Sequence, residues 1–325
     1  MTDRAQMAIA ASGLRKAFGD HVVLDGIDVA VGAGRVYAML GPNGAGKTTV
    51  VNILTTLLTA DAGTVVIAGH DVATAGDAAR AAIGVTGQLS AVDNLLTGRE
   101  NLQLMADLRH LRKREGRERV QQLLQHFDLV DAADKLLSTY SLGMRRRLDL
   151  AMTLVGDPRI LFLDEPTTGL DPRSRRTMWE LIRSLAAGGV TIFLTTQYLE
   201  EADELADWIA VLDGGRIVAE GTSDALKQRV PGGHIRLQFT DAEALASAAA
   251  HFDGATTDDE ALTLSLPSDG RPDDVRSVLD RLERAGIELG GLSMHTPDLD
   301  DVFFALTGSG VKTSATTDSL ERATR

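Results

Sequence analysis

Short, unbroken apolar runs recur along the first two thirds of the chain, and segments with helical spacing of apolar residues lie between them. A run without polar residues predicts a strand that is buried on both faces of a sheet. Three strands of this kind are predicted, at residues 36–40, 160–163 and 190–194. Buried strands that alternate with helices indicate a parallel sheet, and therefore an α/β fold class.

Further helices and strands are predicted between these runs. In the stretch 99–135, Leu102, Met105 and Leu108 have helical spacing, which predicts a helical insertion into the sheet domain. The other predicted elements are strands at 22–24, 27–31 and 64–67, a hairpin at 209–212 and 216–219, and helices at 48–58, 177–185 and 199–208.

Beyond residue 232 the pattern changes to alternation, which predicts half-buried strands. The alternating residues are Ile235, Leu237 and Phe239 in one segment and Leu262, Leu264 and Leu266 in another. Helices at 241–251 and 272–285 and a third strand at 287–294 complete a small α/β pattern. Residues 299–303 predict one more helix, whose apolar side either binds a partner or packs on its own domain.

The charge distribution supports a domain boundary at the same place. The chain has 325 residues and a net charge of −13. Residues 1–232 carry 25 basic and 29 acidic residues, whereas residues 233–308 carry 5 and 15. The break falls at Pro231-Gly232-Gly233, a typical linker sequence. We therefore predict a domain at 1–232, with a helical subdomain at about 90–155, an accessory domain at 233–308 and a disordered tail at 309–325.

Composition excludes several classes of protein. The chain has no cysteine, which excludes a disulfide scaffold, a thiolate metal site and a cysteine nucleophile. The acidic balance argues against nucleic acid as a partner, because phosphate backbones need basic patches. No apolar run approaches the ~20 residues of a membrane helix, and the first residues show no secretion signal.

A phosphate-binding loop is predicted between the first buried strand and its helix. The sequence Gly41-Pro42-Asn43-Gly44-Ala45-Gly46-Lys47-Thr48 matches G-x-x-x-x-G-K-[ST]. Glycines bring backbone N–H groups close to phosphate oxygens, and the helix adds the positive end of its dipole. We expect Lys47 to reach the β- and γ-phosphates and the hydroxyl of Thr48 to bind Mg²⁺.

Two carboxylates follow the second buried strand. In an open parallel sheet, ligands bind at the carboxyl ends of the strands, where Asp164 and Glu165 are predicted to lie. Asp164 is placed to hold Mg²⁺. Glu165 is placed to accept a proton from an attacking water.

Further motifs surround these carboxylates. Tyr140-Ser141-Leu142-Gly143-Met144-Arg145 precedes them, and Pro166-Thr167-Thr168-Gly169-Leu170-Asp171-Pro172 follows. With the phosphate loop, this set resembles the ATP-binding subunits of ABC transporters across residues 14–222. Residues 143–149, 195–203 and 299–303 are more narrowly similar to the daunorubicin/doxorubicin-resistance exporter ATPases of actinobacteria. The resemblance implies a P-loop NTPase fold with an ABC-type nucleotide-binding domain, and ATP and Mg²⁺ as its cofactors.

The resemblance also implies roles for individual residues. Phe18 matches the aromatic residue that stacks on adenine, although the residue pattern alone also allows a core phenylalanine. Gln88 matches a glutamine at Mg²⁺ and at the contact with the membrane subunit. Asp171 matches an aspartate that communicates across the dimer, although an ordinary turn aspartate fits equally well. The remaining matches are Thr49 at the phosphates and Ser141, Gly143 and Met144 in the signature that closes on the ATP of the opposite subunit.

Two positions depart from the general family pattern. Leu142 stands where the signature usually has glycine, and we expect slower turnover from a side chain at this place. Gln197 stands where most members have histidine near the γ-phosphate. Its amide donates a hydrogen bond but carries no charge, so Glu165 remains the expected leading base.

The resemblance implies an assembly and a location. Two copies form an ATP-sandwich homodimer, which acts on an integral-membrane permease from the cytoplasmic face of the cell membrane as a peripheral protein. We expect export of drugs, antibiotics or lipids, and nucleic acid is not an expected partner. An importer ATPase or a non-transport ABC ATPase is the alternative.

Overall fold

The computed structural model describes residues 7–87, 92–229, 233–268, 271–295 and 298–307, with side chains up to residue 303. The chain divides into two compact units, Met1–Ala225 and Leu226–Arg325. Within the described segments, no helix is both long and apolar enough to cross a membrane. The predicted linker residues Pro231 and Gly232, and the predicted tail, lie outside the described residues.

The first unit contains two sheets and the helices around them. Its strands are β1 Met7–Phe18, β2 His21–Gly32, β3 Val36–Leu40, β4 Ala62–Ile67, β5 His70–Asp71, β6 Ile83–Thr86, β7 Ile160–Asp164, β8 Thr191–Thr196, β9 Trp208–Asp213 and β10 Arg216–Gly221. Its helices are α1 Lys47–Leu54, α2 Gly76–Ala81, α3 Gly98–Leu108, α4 Lys113–His126, α5 Leu142–Thr153, α6 Pro172–Ala187 and α7 Leu199–Leu205. The short helix α8, Ser223–Lys227, includes the boundary between the two units.

The six-stranded sheet has the order β10-β9-β3-β8-β7-β6, and all its pairs are parallel except β10 with β9. The three predicted buried strands lie side by side at its centre as β3, β8 and β7. Every residue of these strands is buried, as expected for a sheet that is covered on both faces. Their carboxyl ends therefore meet at one edge, where the predicted site residues follow.

A smaller antiparallel sheet, in the order β2-β1-β4-β5, packs against the same core. The two short strands predicted at 22–24 and 27–31 form one continuous strand, β2. The prediction separated them at Gly26, which has φ +80° where the pairing with β1 changes register. Strand β1 was not predicted, because its small alanine residues do not form a clear apolar pattern.

Several predicted helix ends were wrong for local reasons. Helix α1 stops at Leu54, not at residue 58, because Thr56 adopts a left-handed conformation with φ +66°. Helix α6 starts at Pro172, five residues before the predicted start, since Asp171 caps it and proline suits the first turn. The helix predicted to reach Trp208 ends at Leu205, and Trp208 begins β9.

The second unit is the predicted small α/β pattern with one additional strand. Its elements are β11 His234–Gln238, α9 Ala242–Ala249, β12 Thr256–Asp258, β13 Thr263–Pro267, α10 Pro272–Ala285, β14 Gly291–His295 and α11 Leu299–Thr307. The strands form an antiparallel sheet in the order β12-β13-β11-β14. Leu237, Leu264 and Leu282 belong to its core, while Leu299, Val302 and Phe303 of α11 are also buried.

A pair of leucines in register provides a test of this second core. Leu237 on β11 is fully buried, whereas its partner Leu292 on β14 is 37% exposed. We expect Leu237→Ala to lower the free energy of unfolding by about 2–5 kcal/mol, because it leaves a cavity. Leu292→Ala should cost about 1 kcal/mol or less. Urea unfolding followed by circular dichroism measures both values, and equal losses would contradict the described packing.

Candidate functional site

The predicted phosphate loop forms a cavity at the carboxyl edge of the six-stranded sheet. It has a volume of about 150 Å³. The cavity is lined by Val23, Asn43, Gly44, Gly46, Lys47, Thr48, Thr49 and Glu165. Helix α1 begins at Lys47 in this wall, so its first N–H groups face the cavity region and favour an anion.

Two glycines of the loop are required by close contacts. A Cβ atom on Gly41 would lie 2.3 Å from the carbonyl oxygen of Leu212. A Cβ atom on Gly46 would lie 2.7 Å from Cδ2 of Leu24, and the φ of Gly46 is +108°. Only glycine fits at these positions, so the backbone is shaped into a cradle that a side chain would fill.

Lys47 is held inside the cradle. Its side chain is 5% exposed, and Nζ donates to the carbonyl oxygens of Gly41 at 2.8 Å and Pro42 at 3.1 Å. Nζ also lies 3.3 Å from Oε1 of Glu165. The ammonium group is thus already placed at the loop, where a phosphate oxygen would compete with the carbonyl and carboxylate oxygens for it.

Asp164 connects three elements beneath the cavity. The hydroxyl of Thr48 on α1 donates to its Oδ2 at 2.9 Å, and the hydroxyl of Thr195 on β8 donates to its Oδ1. Asp164 is 2% exposed. Thr195 was not predicted as a site residue, although its place near the end of the adjacent strand could have indicated it.

Glu165 has an unusual backbone conformation, with φ +51°. A side chain other than glycine, asparagine or aspartate rarely adopts it, and strained residues of this kind cluster at functional sites. The backbone N–H of Glu165 donates to the carbonyl oxygen of Thr195 at 3.1 Å, and Thr168 donates to its Oε2 at 3.2 Å. These contacts turn the carboxylate into the cavity towards Lys47.

Gln197 directly follows β8. Strand β8 lies between β3, which leads into the phosphate loop, and β7, which carries Asp164. The N–H of Gly41 donates to the carbonyl oxygen of Thr196 at 3.2 Å, which ties the loop to this strand end. Gln197 itself is half-buried. The structure therefore places Gln197 at the same edge of the sheet as Lys47 and Glu165.

Phe18 lies at the end of β1, and its side chain is 52% exposed. The exposure excludes the core-phenylalanine alternative, and the adjacent strand β2 brings Val23 into the wall of the cavity. Val23 was missed, because an apolar strand residue gives no sequence signal for a site. Gln88 lies outside the described residues.

The predicted signature residues line a different cavity. Ser141 caps α5 and accepts from the N–H of Met144 at 3.2 Å. The cavity has a volume of about 270 Å³ and is lined by Asp128, Ser141, Gly143, Met144, Arg147, Arg173, Ser174 and Thr177. It shares no lining residue with the phosphate-loop cavity. Among the described residues, the signature residues therefore line a cavity that is separate from the phosphate-loop cavity.

Asp171 caps α6 beside the signature. Its Oδ1 accepts from the N–H groups of Arg173 and Ser174 at 3.0 Å each, and the hydroxyl of Ser174 donates to Oδ2 at 2.6 Å. The Ser174 hydroxyl and these N–H groups lower the pKa of Asp171. A Cβ atom on Gly143 would lie 2.9 Å from Oγ of Ser174. Ser174, which was not predicted, thus connects Asp171 to the signature helix.

The donor set fits a nucleotide and a hard cation. Thr48 and Asp164 offer a hydroxyl and a carboxylate at one point, which are the oxygen ligands that Mg²⁺ prefers. No group of three or more acidic, histidine or cysteine side chains able to hold a metal occurs among the described residues. A cation at Thr48 and Asp164 would therefore complete its coordination with phosphate oxygens and water.

The chain is similar in sequence to known ATP-binding proteins. The sequence profile described as "ABC transporter" matches residues 24–168. The chain is 49% identical over 306 residues to the daunorubicin resistance ATP-binding protein DrrA3 of Streptomyces coeruleorubidus, covering 94% of this chain and 97% of the relative. It is 37% identical over 310 residues to the Nod factor export ATP-binding protein I of Sinorhizobium fredii, covering 95% and 88%.

The fold is also similar to a solved structure, that of an ATP-binding subunit of an ABC transporter. The TM-score is 0.62 with 26% identical residues, over 68% of this chain and 92% of that chain. The predicted fold class and the predicted family resemblance are therefore confirmed.

The contact at Gly41 gives a direct test of the cradle. We expect Gly41→Ala to weaken ATP binding by about tenfold or more, because the new Cβ overlaps a backbone carbonyl that cannot move aside easily. Gly44→Ala is the matched control, since a Cβ there meets nothing within 4 Å and adds only the strain of φ +83°. Calorimetric titration with ATP measures both variants. Equal affinities of the two variants would argue against the close approach at Gly41.

Proposed function

Since this chain belongs to the ATP-binding subunits of ABC transporters, we propose that two copies enclose two ATP molecules and drive export through a membrane permease. The chain binds and hydrolyses ATP. ATP-binding subunits of this family function with a membrane permease. The homodimer, the residue roles, Mg²⁺ and the exported cargo form the proposal.

The separation of the two cavities carries the proposal of a homodimer. Within one chain, the signature residues Ser141 and Gly143 do not line the cavity of Lys47 and Glu165. A second copy in head-to-tail orientation can supply a signature to each phosphate loop. ATP would then act as a ligand whose second set of contacts exists only in the closed state, and binding would shift the population towards closure.

Each side chain of the site has a separate role in binding or hydrolysing ATP. Lys47 binds phosphate oxygens, while Thr48 and Asp164 hold the cation and Phe18 supplies a flat apolar surface for adenine. When bound, Mg²⁺ neutralises phosphate charge. Glu165 accepts a proton from the attacking water, and Gln197 donates a hydrogen bond near the γ-phosphate. Gln88 is proposed as a further cation contact on the basis of the resemblance alone.

Export is the transport direction that the relatives support. The two relatives named above are a daunorubicin resistance protein and a Nod factor export protein. We therefore propose efflux of drugs, antibiotics or lipid-like compounds, with this chain at the cytoplasmic face of the cell membrane. The cargo would bind mainly to the permease.

Glu165→Gln tests the proposed function. Gln keeps the size of the side chain but cannot accept the proton, so we expect ATP to bind while hydrolysis falls by about a hundredfold or more. With Mg-ATP, the variant should elute as a dimer in size-exclusion chromatography, and wild type should not accumulate one. Co-expressed with the permease, the variant should lose drug efflux. A variant that hydrolyses ATP normally would remove Glu165 as the base.

Leu142→Gly tests the departure in the signature. Leu142 has a helical backbone as the first residue of α5, so backbone restriction is not the effect of this side chain. A Cβ atom placed on Gly169 would lie 3.3 Å from Cδ2 of Leu142, so the side chain lies beside the segment that follows Glu165, and it is 48% exposed. We expect Leu142→Gly to raise turnover severalfold, because removing the bulk lets the signature approach the phosphate.

Leu142→Ala is the matched control for backbone freedom, since it removes the same bulk beyond Cβ and keeps the Cβ itself. We expect it to raise turnover as Leu142→Gly does. Steady-state ATPase assays with the permease present compare the three proteins. Unchanged turnover in both variants would show that Leu142 does not slow closure.

A further inference from the structure

Glu201 carries a buried carboxyl group near the phosphate-loop cavity, and none of the roles proposed above involves this residue. Glu201 on α7 is 0% exposed. Its Oε1 accepts from the hydroxyl of Thr167 at 2.7 Å and from the indole N–H of Trp179 at 3.0 Å. Both donors are themselves buried, at 0% and 4% exposure. Both hydrogen bonds go to Oε1, whereas Oε2 is buried without a hydrogen-bond partner among the described residues. The position of the carboxyl group is therefore set by Thr167 and Trp179.

The network joins the segments that carry the site residues. Thr167 lies in the segment 165–171, which begins at Glu165 and ends at Asp171. Trp179 lies on α6, the helix that Asp171 caps. Glu201 lies in α7, which begins two residues after Gln197. The carboxyl group of Glu201 thus connects the segment 165–171, helix α6 and the start of α7 after β8.

A buried carboxyl group at this place is costly for stability. Burial raises the pKa of Glu201, while hydrogen bonds from Thr167 and Trp179 and the charge of Arg175 oppose the rise. An apolar side chain would avoid the desolvation of the carboxyl. A buried acid that is hydrogen-bonded to active-site segments is a candidate for a functional contribution.

We propose that Glu201 is a positioning residue for ATP hydrolysis, which holds the segment 165–171 against α7 so that Glu165 and Gln197 face the same phosphate. The inference rests on the proposed role of Glu165.

The hydroxyl of Thr167 is the point at which this positioning acts. Thr167 is two residues from Glu165, and the turn between them is closed by Thr168 N–H to the Glu165 carbonyl at 3.3 Å. Thr168 also donates to the Glu165 carboxylate. Loss of the bond from Thr167 to Glu201 therefore loosens the turn that aims the base. A displacement of about 1 Å at a reacting group can cost about a hundredfold in rate.

The test compares Glu201→Leu with Glu201→Gln. Leucine removes the acceptor, and we expect kcat to fall about tenfold or more while KM for ATP stays within about twofold, since the phosphate loop is untouched. Glutamine keeps an acceptor oxygen for Thr167 and Trp179, so Glu201→Gln should retain most of the wild-type kcat. Glu204→Leu is the matched control on the same helix, because Glu204 is exposed and pairs with Arg183 at the surface.

Thr167→Val removes the same hydrogen bond from the other side and keeps Glu201 bonded to Trp179. It should lower kcat without changing KM, which keeps the test valid if Glu201→Leu does not fold. All variants are assayed with the permease, and their melting temperatures and ATP affinities are measured in parallel.

Three results would overturn the inference: normal kcat in Glu201→Leu and Thr167→Val, failure of Glu201→Gln to restore activity, or a joint loss of ATP affinity and kcat. Glu165→Gln is assayed beside them. If Glu165→Gln remains active, the proposed base is wrong. If Glu165→Gln is inactive but the Glu201 and Thr167 variants behave as wild type, only the positioning role is wrong.

Discussion

The carboxylate of Asp164 is the point on which the site depends. It accepts hydrogen bonds from the hydroxyls of Thr48 on α1 and Thr195 on β8. Asp164 therefore joins the helix after the phosphate loop to the central strands β7 and β8. A buried carboxylate is costly unless hydrogen bonds or a cation satisfy it. Here two hydroxyls satisfy it in the structure, and the same oxygen atoms fit a cation beside a triphosphate. Structural integrity and nucleotide chemistry therefore use the same atoms.

The parallel sheet explains why the remaining groups meet there. Strands β3, β8 and β7 are neighbours, and their carboxyl ends deliver Lys47, Gln197 and Glu165 to one edge although more than a hundred residues separate the first from the others. The left-handed conformation of Glu165 turns its carboxylate into the cavity, where Lys47 compensates the charge. Behind this edge, Glu201 ties the turn after Glu165 to α7.

The surface around the signature residues Ser141 and Gly143 depends on a second feature, the closeness of the first turns of two helices. Helices α5 and α6 begin close together, because Gly143 leaves space for Ser174 and Ser174 bonds Asp171. This surface offers N–H groups and Arg147 without a phosphate loop of its own. Within the described residues, the signature residues and the phosphate loop line separate cavities, which is the physical reason for proposing that two copies act together.

The sequence by itself determined the central strands, the phosphate loop, the two carboxylates and the family, because unbroken apolar runs and glycine-rich turns are local signals. It misjudged the end of α1, where a left-handed residue decides, and the start of α6, where a cap decides, and it extended α7 three residues too far. Only the tertiary structure revealed Thr195 and Glu201, since their hydrogen-bond partners lie far away along the chain. It also revealed Ser174, since only the packing of α5 beside α6 brings it next to Gly143. Buried hydrogen bonds between distant elements leave no periodic trace, so only the folded chain shows which polar residues hold the site together.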